Sequence, residues 1–469
     1  MRLNVFLPRS ARHLFGPALV LVASAGHAEV PPQTVAVLPA LSLRSALAYA
    51  LVHQPALQAA RERLRAAREE AEVPGAQWQP SFGALGELVE GTSNNSTATT
   101  LSESVVDVPR VGGTTVSTQP SYRPEATTLL ALGGRQELYD FGRIAAQTAA
   151  ARALAAIADS ELRHTRLDLR LAITNAYYAV RAAGALLEVA TQAESRAALH
   201  RELAQAAVNS GLRSPIEVTR ADADVTRFEV ARIHAAGSLD VARGVFAAAV
   251  GFDQPELDAG DDASDVPPLP SLADAEARAV EADPAVEEAV GRVRAEHALA
   301  ESVGATSRPN LFVTAQASVR AGGAAASNTV LPEGRGFEPN VPNYSAGVVL
   351  SWPFFEPVTS ARVRALRSRE HALASEVEVT RQRAFSRTHQ AYQNVQVATA
   401  ALSALAKAVQ AARANHEQAE GRFRAGLGTS TELADAETLR LNAEAEQVIG
   451  TYQAETARAE LSRAIAEER

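Results

Sequence analysis

Residues 207–224, AVNSGLRSPIEVTRADAD, and residues 422–437, RFRAGLGTSTELADAE, are two versions of one turn. At an offset of 215 they align Gly211 with Gly426, Leu212 with Leu427, Glu217 with Glu432 and Asp222 with Glu437. Each turn is entered from a very long unbroken run. Arg143 to Val208 and Val358 to Ala425 contain no proline and one glycine each, Gly184 and Gly421. In the first run Leu162, Leu169, Ile173, Ala176, Val180 and Leu187 recur at helical spacing, which predicts a packing seam. Gly211 and Gly426, with Gly428 two residues on, are therefore read as hairpin-tip turns that end these helices and reverse the chain.

Outward from the turns the self-similarity continues. Leu43 aligns with Leu272, Pro55 with Pro284, Arg65 with Arg294 and Pro80 with Pro309 at an offset of 229, so the first copy is longer by about 14 residues, most simply in the loop at 92–125. A period above 200 residues is a duplicated domain and not a short solenoid repeat. The repeats are placed at 43–251 and 270–467, after an N-terminal extension at 29–42 and separated by an acidic, proline-rich linker at 252–269. Each copy runs in one order: a leading helix (Pro55 to Trp78; Pro284 to Ser307), a strand, a polar loop, a strand, a long helix, the turn and a returning helix. The hairpins are expected at about 143–250 and 358–467. At 1.5 Å per residue the long helices reach about 100 Å. Leading and returning helices stacked end to end nearly match that length.

The strands are expected at about 80–91 and 126–138 in the first copy, and 309–320 and 344–353 in the second. Leu311, Val313, Ala315, Ala317 and Val319 fall on one side of the third segment, and Thr314, Gln316, Ser318 and Arg320 on the other. In the fourth, Tyr344, Ala346, Val348, Leu350 and Trp352 share a side, with Tyr344 and Trp352 placed as membrane-interface aromatics. This is the pattern of a lipid-facing strand of about ten residues. Four such strands cannot satisfy their edges in lipid, because closed barrels need about eight or more. A membrane form must be assembled from several chains.

Composition narrows the function classes. Arg2, Arg9, Arg12 and His13 precede an apolar run from Leu14 to Ala25, and Gly26-His27-Ala28 offers a cleavage site, so residues 1–28 read as an export signal. They hold three arginines and no acids; their loss takes the formal net charge from −9 to −12. So acidic a chain is a poor partner for nucleic acid. There is no cysteine, which excludes disulfides, thiolate metal sites and a lipidated N-terminal cysteine. No run of 18 apolar residues follows the signal, so no helical anchor is predicted. The eight later histidines, His200 and His416 among them, show no ligand spacing and are expected to be scattered over helix surfaces. No metal site, cofactor or enzyme activity is expected; Gly-x-Ser-x-Gly and His-Glu-x-x-His elements do not occur.

Signal, duplication, strand pairs, long helices and glycine turns together resemble the TolC-like outer-membrane efflux protein family over residues 43–467. The family's strand-to-helix turn, an Asp and a Gly after an apolar pair, appears as Leu138-Tyr139-Asp140-Phe141-Gly142, where Asp140 is placed to cap the following helix. The second copy departs from it as Phe354-Phe355-Glu356-Pro357.

The resemblance implies a mainly α fold with a membrane β part: duplicated helical hairpins forming a periplasmic α-barrel, and four strands per chain contributing to a trimeric twelve-stranded β-barrel. It implies a homotrimer in outer-membrane lipid, extending into the periplasm of a Gram-negative-type bacterium. There it would serve as the exit duct of a tripartite efflux or type I secretion system, with a periplasmic adaptor and an inner-membrane transporter of RND, ABC or MFS type as partners. The alternative is a periplasmic coiled-coil adaptor or scaffold. By the same resemblance Glu432 and Asp435 form a periplasmic selectivity ring, with Phe423 and Glu217 as gate partners. The family's basic latch residue falls on Gly428, so no Arg-to-acid latch is expected there.

Overall fold

The computed structural model describes residues 40–92, 124–252, 257–261, 268–321 and 341–467. The export signal, most of the extension at 29–42, nearly all of both polar loops and much of the 252–269 linker lie outside the described residues.

Each copy opens with two helices where one was expected. The Ser42 side chain accepts the Ser45 N–H and starts α1 (Leu43–His53); Gln54 is then extended, and α2 (Pro55–Ala76) begins on its proline. In the second copy Ser271 caps α5 (Leu272–Ala282) and Asp283 precedes α6 (Pro284–Ala305). A proline crowds the residue before it out of the helical region while its own fixed φ suits a first helical turn, so each proline splits one apolar run in two.

The long helices are α3 (Arg143–Asn209) and α7 (Pro357–Arg424); they return as α4 (Ile216–Val250) and α8 (Ser430–Ala464). Buried Asp140 accepts the Gly142 N–H at 3.0 Å and the Ile144 N–H, satisfying donors that α3 leaves unpaired at its start. Pro357 takes the first helical position in α7, where a missing N–H costs nothing.

α3 packs against α4 and α2 on one flank and against α8 and α6 on the other; α8 and α6 also pack against α7. The result is a layer ordered α4–α3–α8–α7 near the turns and α2–α3–α6–α7 towards the strands. Among the described residues, α7 has these neighbours on one flank only, and so do α4 and α2. The main core lies where α1 meets α3 and α4: Ile173, Tyr177, Val180, Phe246 and Val250 with Ala46 and Ala50. Alanine at the seams lets the helices approach closely.

Part of the linker belongs to this core. Leu257 and Ala259 are buried in it, Leu41 pairs with Ala259, and the Tyr177 hydroxyl donates to the Gly260 carbonyl. A Cβ at Gly260 would stand 2.8 Å from the Ala40 carbonyl oxygen, a backbone atom with little freedom to retreat. Gly260→Ala is expected to destabilise the fold by about 1–3 kcal/mol, read as a lowered thermal midpoint; an unchanged midpoint would show that this strap contributes nothing.

The strands β1 (Ser81–Thr92), β2 (Pro124–Tyr139), β3 (Asn310–Ala321) and β4 (Val341–Ser351) form one antiparallel sheet in the order β1-β2-β3-β4. The register aligns Phe82, Gly134, Ala315 and Ala346 in one row, and Ala84, Leu132, Ala317 and Tyr344 in the next. A third row holds Gly86, Leu130, Val319 and Pro342. Because side chains alternate along each strand, these rows share a face, and it is apolar from edge to edge. Phe82, Leu130, Leu132, Tyr344 and Val348 are exposed on it. The opposite face carries Thr314, Gln316, Ser318 and Ser345, and an Arg135–Glu137 pair at 3.0 Å whose guanidinium lies over Phe312. Leu129 and Ala131 are buried on this polar face, which is why the first-copy strands alternate less cleanly in sequence. Among the described residues, the outer edges of β1 and β4 pair with nothing.

Candidate functional site

The two turns meet at one end of the helical layer. Both end their helices identically: the N–H of Leu212 returns to the Ala207 carbonyl and that of Gly211 to Val208, as Leu427 returns to Arg422 and Gly426 to Phe423. This double bond pattern puts the glycine in the left-handed region, and Gly211 and Gly426 have φ of 74° and 76°. On the far side of the second turn Thr429 caps α8 by accepting the Glu432 N–H at 3.2 Å.

Arg213 joins the tips. It occupies the position in the first turn that aligns with Gly428 in the second, and its Nη2 donates to the carbonyls of Gly428 at 2.8 Å and Phe423 at 3.1 Å. Its guanidinium lies 4.2 Å from the centre of the Phe423 ring, and Nη1 is 3.9 Å from Glu217. Glu217 in turn accepts the Ser430 N–H at 3.3 Å. From the position that aligns with Gly428, Arg213 thus bridges the two tips through backbone carbonyls of the second turn, while its carboxylate contact, Glu217, lies in its own turn. The signal was present in the alignment of the two turns, where Arg213 faces Gly428. The second turn itself leaves little space for a side chain at Gly428, since a Cβ there would lie 3.2 Å from Arg422 Cβ, Phe423 N and the Glu432 carboxylate.

Of the other expected residues, Phe423 is buried with Ala204, Ala221 and Leu433 and serves as the apolar floor under Arg213. Glu432 and Asp435 are exposed on α8, away from its buried face of Leu433, Ala436 and Glu437. Glu432 lies 3.8 Å from Arg422, whereas Asp435 stands close enough to Asp224 of α4 to act on its charge. Burial, with Asp435 adding to it against Arg227, raises the Asp224 carboxyl above its ordinary range. Tyr344 and Trp352 are exposed at the far end of the molecule, Trp352 edge-on to Phe354.

Deeper in the layer lies a charged cluster that the sequence reading did not find. Glu437 of α8 is 1% exposed, and Arg196 of α3 donates to it through Nε at 2.9 Å. His416 of α7, 2% exposed, places Nε2 2.8 Å from the other carboxylate oxygen, off the axis of the ring N–H. One turn along, Glu444 gathers Arg413 of α7 at 2.8 Å and Arg440 at 3.1 Å. Burial opposes the charge on Glu437, but its close contacts with His416 and Arg196 prevail and hold its carboxyl below the ordinary value. His416 is therefore a core residue and not a surface one, contrary to the scattered-histidine expectation.

Comparison with known proteins gives these features a context. A model of the family described as outer membrane efflux protein matches residues 46–251 and 277–467. Among solved structures the chain is similar to the outer-membrane channel OprN, at 22% identity and a TM-score of 0.68, covering 90% of this chain and 89% of that one. It is similar to the outer membrane protein VceC from Vibrio cholerae at 21% identity and a TM-score of 0.68, covering 90% and 96%. The open state of the Neisseria gonorrhoeae MtrE outer membrane channel aligns at 18% identity and a TM-score of 0.68, covering 90% and 88%. At these identities the likeness is one of fold. No curated protein matches the chain.

Proposed function

This chain belongs to the outer membrane efflux protein family, and from that premise we propose how its parts make an outer-membrane efflux channel. The observation that carries the reading is a sheet with one apolar face, one polar face and, among the described residues, two unpaired edges, continuous with a helical layer that among those residues also has two unpartnered flanks. Three copies supply twelve strands, above the roughly eight that closure in lipid requires. Joined head to tail, the flank of α7 meets the flank of α4 and α2 in the next copy, a contact that closes into a ring under threefold symmetry. α4 and α7 are the two described helices long and apolar enough to cross a membrane. In the ring those alanine-rich stretches face each other.

In this reading the protein is a passive conduit with no chemical step of its own, and cargo is chosen by the pump. A periplasmic adaptor and an inner-membrane transporter of RND, ABC or MFS type would engage the tips. Purification tests the assembly: a detergent-solubilised trimer from the outer-membrane fraction that conducts in planar bilayers is expected, and a water-soluble monomer would overturn it.

The tips form the inner mouth, where Glu432 and Asp435 from three chains place six carboxylates around the path. Such a ring attracts cations and repels anions at the narrowest point. Glu432→Gln with Asp435→Asn is expected to lower the cation-over-anion permeability ratio several-fold in salt-gradient recordings. An unchanged reversal potential would remove these residues from the conduction path.

A further inference from the structure

Roughly 16 Å above the tip, at 1.5 Å per helical residue, a second histidine packs on the buried cluster. The His200 ring of α3 lies against that of His416 in α7, with ring centres 5.6 Å apart and planes inclined by 27°. We propose that the His200–His416 stack is a proton-sensitive joint between the two hairpins, holding α3 against α7 and α8 at neutral pH and loosening on acidification so that the tips separate more readily. The inference rests on the reading of the tips as the channel's inner mouth.

The charged surroundings set the direction. His200 faces His416 and Glu420 from α7, Glu437 from α8 and Arg196 from its own helix. From α4, Asp224 lines the same small cavity. Glu437 is already engaged by Arg196 and lies beside His416, so its pull on His200 is shared with them. Burial, and then the charge of His416 and Arg196, hold the His200 imidazole below its ordinary value against the pull of Glu420 and Glu437. With the hairpins parted, the ring regains water and the ordinary value. The packed state therefore binds fewer protons than the parted one, and its advantage, complete above about pH 6.5, is lost as pH falls from there through the lowered value of the packed ring. Glu437 acts in the same sense at still lower pH, since its carboxyl is also held low by the packed arrangement. The cavity beside His200, about 20 Å³ and lined by Asp224, Ser430, Phe228 and Phe423, sits where the ring would need to repack.

The test compares the full-length channel with His200→Gln, which keeps a polar side chain of similar reach but cannot gain a proton. In planar bilayers the open-state occupancy of the native channel is expected to rise several-fold between about pH 7.5 and about pH 5.5. In His200→Gln the rise is expected to be largely lost. Glu432→Gln with Asp435→Asn should retain it, separating the joint from titration of the mouth. Hydrogen exchange reads the joint without conduction: corrected for intrinsic rates, residues 195–205 and 411–421 should exchange faster at the lower pH in the native protein and not in the variant. A native protein whose exchange in these segments is unaffected by pH, or a variant that responds as the native does, overturns the proposal. A protein that forms no channel yet shows the exchange difference overturns the conduit reading alone.

Discussion

Replacing Glu437 by Gln is expected to cost the protein about 3–5 kcal/mol of stability. Glu437 is the acceptor at which three helices meet, and without its charge the Arg196 guanidinium stays largely buried beside His416 with only the more distant Glu444 carboxylate, at 3.8 Å, as an ionic partner. The Coulomb gain in such pairs is offset by the cost of taking both ions out of water, so the penalty lies mainly in orphaning the survivor. A second variant separates the two. Arg196→Met with Glu437→Leu removes both charges in similar volume and should recover most of the loss. Denaturant unfolding in detergent measures both. A single-variant loss below about 1 kcal/mol would mean that Arg196 escapes to solvent and that the cluster does not bind the hairpins together.

Arg213→Ala is expected to have the largest effect on conduction. The substitution removes two charge-assisted hydrogen bonds to backbone carbonyls of the opposite tip and the stacking on Phe423. Charged hydrogen bonds contribute about 1.5–3 kcal/mol each, so even one net equivalent per clasp weakens the closed arrangement by about 10- to 100-fold. Long-lived large-conductance openings should appear in bilayer recordings without any partner protein. Arg213→Lys should behave nearly as Ala does, because a point charge reproduces neither the fork nor the flat stack. Arg220 is a control: it is half exposed and lies 3.4 Å from Glu217, and Arg220→Ala should leave the recordings unchanged. Recordings of Arg213→Ala indistinguishable from the native channel would show that the tips are held by something other than this clasp.

Most of the architecture was legible in the residues because its parts rest on local signals. Glycines that must adopt positive φ marked both turns, unbroken helical spacing marked α3 and α7, and period-two alternation marked β3 and β4. What escaped depends on contacts between distant segments. α1 and α5 were missed, because the leading helices were read as starting at Pro55 and Pro284 and one proline does not announce that both sides are helical. Leu257 and Ala259 sit in a stretch whose composition reads as a linker, yet Tyr177 and Leu41 draw it into the core. His416, Glu437 and Arg196 are polar residues in polar-looking stretches, and only the meeting of α3, α7 and α8 buries them. The clasp was half visible, since the turns aligned Arg213 with Gly428, but which tip its side chain reaches is a tertiary fact.

The bare margins of β1 and β4 bear on biogenesis. Among the described residues these edges have no strand partner, and lipid offers their amides and carbonyls none, so in the proposed assembly a single subunit would not enter the bilayer alone at tolerable cost. Insertion and oligomerisation must then be coupled. Until sister copies arrive, the same ribbons are adhesive templates that need an escort.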